Sequence, residues 1–170
     1  FAKCGAMGNP LVTIYITNRN YGVYLEKAIL SALNQTYKNI EVIIIDDSSN
    51  DNSHEILKKF KENKKVKIIN NNKKRGLIKS SLKAIKLSKG DFILRLDADD
   101  FLDHKAIQLM INEFKNNKNY GLIFCDYYYV NNKSKISSRF RYNHKKKYNL
   151  MDTPAHGACS LINKKNYLKI

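Results

Sequence analysis

The chain of 170 residues has few of the features that mark special classes of protein. It contains only three cysteines, Cys4, Cys125 and Cys159, in an odd number and without metal-ligand spacing. This argues against a disulfide framework or a zinc site and fits a reducing compartment. Apolar runs such as residues 42–45 are far too short to span a bilayer, and no secretory signal or linker rich in proline and glycine is visible. We therefore expect one globular, cytoplasmic domain.

Two common phosphate-binding motifs are also missing from the chain. No G-x-x-x-x-G-K-[ST] pattern occurs, which excludes a P-loop. No G-x-G-x-x-G follows the first apolar run, so a dinucleotide-binding Rossmann unit has no support. If the chain binds a nucleoside diphosphate, something other than a glycine-rich loop must offset the phosphate charge. A cation held by carboxylates would do so.

Acidic residues are scarce, with 15 Asp and Glu against 31 Lys and Arg and a formal net charge of +16. Such a charge invites a nucleic-acid or membrane-surface interpretation. The lysines are spread along the chain, however, so compositional bias explains them better and no specific nucleic acid is expected. Attraction to anionic lipid or to a phosphorylated ligand stays open, which allows peripheral association with the inner face of the membrane. The candidate basic runs are residues 61–65, 70–75 and 143–147.

What the chain does contain is an alternation of apolar and amphipathic segments. Apolar, β-branched runs predict strands at 11–17, 40–46, 66–70, 91–97 and 121–130, with weaker ones at 135–142 and 158–163. Helical spacing predicts helices at 21–35, 53–63, between Gly76 and Gly90, and at 103–116. We expect Leu77, Leu82 and Ile85 on the apolar face of the third helix, Gly90 as its C-cap, and Asp103 as the cap of the fourth. The alternation indicates an α/β domain, a Rossmann-like and mostly parallel sheet flanked by helices.

Polar side chains gather at the ends of three predicted strands, at residues 17–20, 46–48 and 97–100. Ligands of parallel sheets bind at the carboxyl ends of the strands, so the three clusters could converge on one crevice. Asp97 and Asp99 are two residues apart, a spacing that puts both carboxylates on one face of a strand. Such oxygen donors suit Mg²⁺ or Mn²⁺ together with substrate phosphates. By itself the D-x-D pattern is weak, because most short acidic pairs are solvated turns or helix caps.

Residues 31–53 (SALNQTYKNIEVIIIDDSSNDNS) closely resemble the signature of family 2 glycosyltransferases, which have a GT-A fold. The resemblance continues through residues 75–100 (RGLIKSSLKAIKLSKGDFILRLDADD) and covers roughly residues 11–130. It implies a metal-dependent enzyme that transfers a sugar, with inversion, from a nucleotide-sugar donor, a UDP-sugar by expectation. The acceptor it implies is a glycan or a lipid-linked molecule in the synthesis of a bacterial surface polysaccharide.

The resemblance also implies roles for individual residues. Thr17 matches a donor-pocket position near the base, and Asp47 matches the carboxylate that accepts a hydrogen bond from the base, typically from N3 of uracil. Asp97 and Asp99 match the D-x-D pair that holds the ribose and the metal–diphosphate. Asp100 is adjacent and could share these duties. The resemblance leaves open which acid contacts the ribose and which the metal.

The chain departs from the family pattern at two places. Arg19 stands where many relatives carry an aromatic residue, and it could stack on a base or contact phosphate. Residues 80–82 (Ser-Ser-Leu) replace a common Ala-Arg-Asn, so a phosphate-facing arginine is missing. Arg75 and Lys79 are candidates to replace it, although a solvated helix face explains Lys79 better.

The general base is the larger gap. In the family it is commonly an acid in an acidic pair beyond a strand that resembles residues 158–163, and the chain ends at Ile170 before such a pair. Asp152 and His156 are the only plausible local substitutes. Both are weak candidates, since a lone histidine in a loop is more often structural than catalytic.

The extent of the domain follows from the same comparison. We expect residues 1–8 to be a tag or cloning remnant, and residues 9–170 to be a GT-A domain that is truncated at its C-terminal side. Two alternatives to an active enzyme stay open. The first is a module that binds the donor without turnover, and the second is a basic domain that binds polyanions.

Overall fold

The computed structural model describes residues 8–117, 119–131, 135–141 and 159–167. The strands are β1 (Val12–Asn18), β2 (Ile40–Asp46), β3 (Val66–Asn70), β4 (Phe92–Asp97), β5 (Leu122–Phe124), β6 (Tyr127–Val130), β7 (Ile136–Phe140) and β8 (Ser160–Asn163). The helices are α1 (Gly22–Leu33), α2 (Ser53–Lys58), α3 (Leu77–Leu87), α4 (Ala106–Asn116) and α5 (Lys164–Tyr167). Within these described ranges, no helix has the length and apolar character needed to cross a bilayer.

Six strands form the main sheet in the order β3-β2-β1-β4-β8-β5. Strands β1 to β4 are parallel, whereas β8 runs antiparallel to both β4 and β5. The predicted α/β architecture with a mostly parallel sheet is therefore confirmed. Strand β1 lies between β2 and β4, so the direction of strand addition reverses there. Open parallel sheets bind their ligands in the crevice at such a switch point.

The central strands are buried on both faces, which explains why their sequences are mostly apolar and do not alternate strictly between apolar and polar residues. Ile14 and Ile44 pack on one face in a core cluster that includes residues of α1, α2 and α4. Tyr15 and Ile43 pack on the other face with Ile85 of α3. The helices thus cover both faces and leave the carboxyl ends of the strands accessible.

Residues 121–130 do not form the single strand that was predicted. Strand β5 pairs with β8 in the main sheet, whereas β6 pairs with β7 in a separate two-stranded sheet. The apolar pattern could not show this break, because both halves have the same β-propensity and differ only in their pairing partners.

The apolar face predicted for the third helix is also wrong in part. Leu77 is 50% exposed and Leu82 is 51% exposed, and the buried residues of α3 are Ser80, Ala84 and Ile85. The hydroxyl of Ser80 accepts a hydrogen bond from the buried Asn71 side chain at 3.3 Å. This polar contact lies on the buried side of α3.

Two predicted helix ends lie elsewhere in the structure. The N-cap position of α4 is Lys105 rather than Asp103, and Asp103 instead accepts a hydrogen bond from the Lys105 N–H at 2.8 Å. The predicted helix at 53–63 ends earlier, at Lys58. Local cap residues therefore indicated the correct turns but not the residue at which each helix begins or ends.

Gly90 is buried beside β1 and is not the C-cap of α3, which is Ser88. A β-carbon at Gly90 would lie 2.6 Å from both the backbone N and Oγ1 of Thr13, and 2.7 Å from the carbonyl O of Phe92. Because backbone atoms cannot move aside, we expect Gly90→Ala to destabilise the fold by about 2 kcal/mol or more in urea unfolding. Gly8→Ala is the control, since a β-carbon there meets nothing within 4 Å. Equal stability of the two variants would contradict this interpretation.

Candidate functional site

A cavity of about 350 Å³ opens at the carboxyl ends of β1, β2 and β4. Its lining includes five of the predicted site residues, Thr17, Arg19, Asp47, Asp97 and Asp99. The structure therefore brings the three polar strand ends together in one crevice, which we call the donor cavity after the nucleotide-sugar donor that the sequence resemblance predicts. The roles of the individual residues stay predictions.

The register of the parallel strands is what aligns these side chains. Thr17 at the end of β1 lies directly opposite Asp97 at the end of β4. On the other side of β1, the N–H of Asp47 donates to the carbonyl of Asn18 at 2.8 Å, which extends the β1–β2 ladder by one residue. Backbone hydrogen bonds therefore hold the carboxyl ends of these strands in register.

Asp47 is only 4% exposed, and three N–H donors fix its carboxylate. Asn71 Nδ2 at 2.9 Å and the Arg75 N–H at 2.8 Å donate to Oδ1, and the Gly76 N–H donates to Oδ2 at 2.8 Å. Burial by itself would raise the pKa of Asp47. These hydrogen bonds, together with one from Ser80, outweigh burial and hold the pKa below its ordinary value. Asp47 is therefore an ionised hydrogen-bond acceptor in the wall of the donor cavity.

Gly76 has a structural reason to be glycine. Its φ is 84°, in the left-handed region that side-chain-bearing residues rarely adopt. This conformation lets two consecutive N–H groups, those of Arg75 and Gly76, point at the same carboxylate. Successive N–H groups in such a turn form a concavity that binds anionic groups.

Asp97 is paired with Arg95, a cation that was not among the predicted site residues. Arg95 Nε donates to Asp97 Oδ1 at 2.9 Å and Nη2 donates to Oδ2 at 3.0 Å, with both side chains 25% exposed. Burial would lower the pKa of Arg95, but the hydrogen bonds and the charge of Asp97 raise it above its ordinary value. Residues two apart on a strand share a face, and this spacing is the sequence signal that could have identified Arg95.

The other cations near the strand ends are divided between two surfaces. Arg19 Nη1 donates to the carbonyl of Asp47 at 2.7 Å and to that of Ser48 at 3.2 Å, so Arg19 holds the loop after β2. Lys74 lines the donor cavity, whereas Arg75 and Lys79 line a separate cleft. Neither candidate to replace the missing arginine therefore lines the donor cavity, and their role stays a prediction. No local pattern distinguishes Lys74 from its basic neighbours.

Two neighbouring acids lie outside the lining of the donor cavity as the described residues define it. Asp100 is exposed, and its N–H donates to the carbonyl of Asp97 at 3.1 Å. Asp46 is fully buried and accepts hydrogen bonds from Asn18 Nδ2 at 2.7 Å and from Ser49 Oγ at 2.6 Å. Asp46 is therefore structural, and the proposed use of Asp100 as a metal ligand has no support from the cavity lining.

The two candidates for a general base, Asp152 and His156, lie outside the described residues, as does the basic run at 143–147. Among the described residues, the carboxylates that line the cavity are Asp47, Asp97 and Asp99. Each of these three already has a predicted role in binding. The described part of the chain therefore assigns no general base.

The donor set at the cavity fits a divalent cation only if a ligand completes the coordination. Among the residues that the structure describes, no group of three or more His, Cys, Asp and Glu side chains could hold a metal ion. Asp97 and Asp99 supply two carboxylates, and Mg²⁺ takes one or two carboxylates together with phosphate oxygens and water. Three carboxylates and three cationic side chains line the cavity, so its side chains have no net positive charge to offset a diphosphate. The residues therefore fit a cation that enters with a diphosphate.

Comparison with known proteins places the chain in a family. The model of glycosyl transferase family 2 matches residues 13–167. Chondroitin synthase of Pasteurella multocida is 36% identical over 116 residues, which cover 68% of this chain and 12% of that protein. The UDP-Glc:alpha-D-GlcNAc-diphosphoundecaprenol beta-1,3-glucosyltransferase WfaP of Escherichia coli is 34% identical over 154 residues, which cover 89% of this chain and 59% of that protein. The chain thus spans less than two thirds of either relative.

A solved structure supports the fold independently. The mannosyltransferase PcManGT from Pyrobaculum calidifontis, in complex with GDP-Man and Mn²⁺, matches with a TM-score of 0.64 and 17% sequence identity. The match covers 71% of this chain and 36% of that one, and at this identity it shows the fold alone. The chain belongs to glycosyl transferase family 2, and its fold is GT-A.

Proposed function

We propose that this domain transfers a sugar from a UDP-sugar to a glycan or lipid-linked acceptor in the synthesis of a surface polysaccharide. The reaction depends on a divalent cation and inverts the anomeric carbon. The observation that carries the proposal is the convergence of Asp47, Asp97 and Asp99 on one cavity at the switch point of the parallel sheet. Similarity to chondroitin synthase and to WfaP, whose name includes a UDP-Glc donor and a diphosphoundecaprenol acceptor, supports this class of substrates. A cytoplasmic location at the inner face of the membrane stays a prediction.

Asp47 supplies the chemistry that would select the base. A carboxylate offers about four acceptor sites. Asp47 accepts hydrogen bonds from the N–H groups of Asn71, Arg75 and Gly76 and from Ser80. The N3–H of uracil would take the place of the Ser80 hydroxyl, since Ser80 lines the same cavity. Cytosine has an acceptor at N3 and would be repelled. Thr17 lines the same cavity and would lie near the base.

The diphosphate would be held at the end of β4. Asp97 and Asp99 would bind Mg²⁺ or Mn²⁺, which as a Lewis acid stabilises the leaving diphosphate when bound. Lys74 lines the cavity and would add positive charge beside the phosphate oxygens, whereas Arg95 pairs with Asp97 and orients its carboxylate. In the transfer, the acceptor hydroxyl oxygen bonds to the anomeric carbon while the bond from that carbon to the diphosphate breaks. The hydroxyl proton passes to a general base that is still to be identified.

Calorimetric titration with UDP tests this proposal. We expect saturable binding that requires Mn²⁺ and is weakened about tenfold or more in Asp99→Ala, because one of two carboxylate ligands is removed. Asp103→Ala is the matched control, since Asp103 is an exposed acid on the following loop and does not belong to the donor cavity. If the affinity for UDP is the same without Mn²⁺ and in Asp99→Ala, the proposed site is refuted. Binding of any polyanion, with a steep loss in salt, would favour a basic polyanion-binding domain instead.

A second candidate function is donor binding without turnover. It is favoured by the composition of the described lining, whose three carboxylates all have a predicted binding role, so that none is left to act as the base. The two functions separate in an assay for release of UDP from UDP-glucose in the presence of Mn²⁺ and an acceptor glycan. Binding of UDP without any release would favour the second candidate.

A further inference from the structure

A second cavity, of about 430 Å³, lies next to the donor cavity at the start of α3. We call it the basic cleft. Its lining consists of Asn70, Asn71, Asn72, Arg75, Lys79 and Lys83. None of these residues lines the donor cavity, so the two cavities are distinct. The family resemblance and the proposed sugar transfer leave the basic cleft without a role.

The basic cleft concentrates positive charge. Lys79 and Lys83 are four residues apart on α3 and therefore share one side of the helix, with Arg75 just before its first turn. Among the described residues, no carboxylate lines the cleft and none of the ion pairs involves these three cations. Like charges around one cavity repel each other, and an anion between them would remove that repulsion.

Asn71 gives the cleft a fixed polar wall. Asn71 is only 8% exposed, and its side-chain Oδ1 accepts a hydrogen bond from Lys83 Nζ at 2.8 Å. Its Nδ2 donates to Asp47 at 2.9 Å and to Ser80 at 3.3 Å. Lys83 is thus oriented by a neutral amide, which does not offset a positive charge. An ammonium group has three donors, so two remain for a ligand.

We propose that the basic cleft binds a phosphate group carried by a phosphate or diphosphate ester. A phosphate offers several acceptor oxygens and a compact negative charge, which match the paired N–H donors of Arg75 and the point charges of Lys79 and Lys83. Either a lipid headgroup or a soluble phosphate ester provides this chemistry. The inference does not depend on sugar transfer, because it rests on residues outside the donor cavity.

Calorimetric titration with inorganic pyrophosphate, without divalent metal, tests the site. We expect the double variant Lys79→Glu/Lys83→Glu to bind about tenfold more weakly than the unmodified chain, since two attractive charges become repulsive. The matched control is Lys61→Glu/Lys64→Glu, which changes the net charge equally on exposed residues before β3. This control should keep its affinity for pyrophosphate. Asp99→Ala should also keep it, which shows that the ligand is not in the donor cavity.

The single variant Lys79→Glu separates loss of the site from loss of the fold. Lys79 is exposed, so this variant should unfold at an unchanged temperature and still bind pyrophosphate more weakly.

Sedimentation with phosphatidylglycerol vesicles, compared with phosphatidylcholine vesicles, distinguishes the two sources of phosphate. If the protein binds phosphatidylglycerol vesicles and pyrophosphate displaces it from them, the ligand of the basic cleft is a lipid headgroup. If the protein binds pyrophosphate but not the vesicles, the ligand is a soluble phosphate ester. Equal weakening in the cleft and control variants, tighter binding of duplex DNA, or no binding in either arm would overturn the proposal.

Discussion

Asp47→Ala should lower the free energy of unfolding by about 3 kcal/mol and abolish measurable binding of UDP. The substitution leaves the Asn71 amide and the N–H groups of Arg75 and Gly76 without their acceptor. A buried donor that loses its partner costs about 1–3 kcal/mol, and solvent entering the turn at Gly76 recovers part of the total. Urea unfolding measures the first effect and calorimetry with Mn²⁺ and UDP measures the second.

Asp51→Ala is the matched control for this experiment. Asp51 also accepts backbone hydrogen bonds, from Gly22 N–H at 2.8 Å and from Ser53 N–H at 3.0 Å, but it does not line the donor cavity. The Asp51→Ala variant should be less stable than the unmodified chain and should keep its affinity for UDP. If the two variants lose UDP binding equally, the effect of Asp47 comes from the fold and not from contact with the base.

The lowered pKa of Asp47 adds a pH dependence with a defined sign. Its folded pKa lies below the ordinary value of 3.8, so the ionised carboxylate stabilises the folded state. This contribution is fully present above the unfolded-state pKa and is lost as the pH falls through the folded pKa. The difference in free energy of unfolding between the unmodified chain and Asp47→Asn should therefore be constant near neutral pH and shrink below 3.8. If this difference in free energy of unfolding grows as the pH falls, the pKa of Asp47 is not lowered by folding.

The central sheet could be predicted from sequence because its physical signal is local. Residues 12–18 and 40–46 are almost entirely buried, and each is rich in apolar, β-branched residues. The polar ends of these runs marked the strand tips, and a parallel sheet must bring such tips to one edge. For the same reason the sequence alone predicts that Asp47, Asp97 and Asp99 lie close together. The split of residues 121–130 was missed because strand pairing, unlike burial, is not a local property.

The cations of the site could not be assigned in the same way. Lys74 and Arg75 are adjacent in a basic run, yet the first lines the donor cavity and the second lines the basic cleft. Both residues lie at the turn before Gly76, which is held by hydrogen bonds from the N–H groups of Arg75 and Gly76 to Asp47. Asp47 precedes Arg75 by 28 residues and Gly76 by 29 residues, and no local pattern carries information over that distance.

Asp97→Ala should weaken Mn²⁺-dependent binding of UDP about 100-fold, the largest loss of affinity among the substitutions in the D-x-D segment. Asp97 contributes one of the two carboxylates and lies opposite Thr17 in the sheet register. Its removal also leaves the Arg95 guanidinium without the partner that holds it at 2.9 and 3.0 Å. Calorimetry of UDP with and without Mn²⁺ measures the loss.

A double-mutant cycle shows whether Arg95 acts through Asp97. Each Asp97 oxygen accepts one N–H from Arg95 and keeps a further lone pair, so Arg95 orients the carboxylate without occupying it fully. We expect Arg95→Met to weaken UDP binding about tenfold, and Arg95→Lys to restore it only in part, because an ammonium cannot form the two-pronged pair. In Asp97→Ala/Arg95→Met the affinity should be no lower than in Asp97→Ala alone.

Additive losses in that cycle would mean that Arg95 contacts the donor directly and does not act by positioning Asp97. The exposed pair of Lys59 and Glu26, at 2.9 Å, provides the control for ion pairs in general. Removing Glu26 should change neither the stability nor the affinity by a measurable amount, because exposed ion pairs contribute little. The contrast between the two pairs follows from their surroundings, since only Arg95 and Asp97 are partly buried at the edge of the sheet where the predicted ligand must bind.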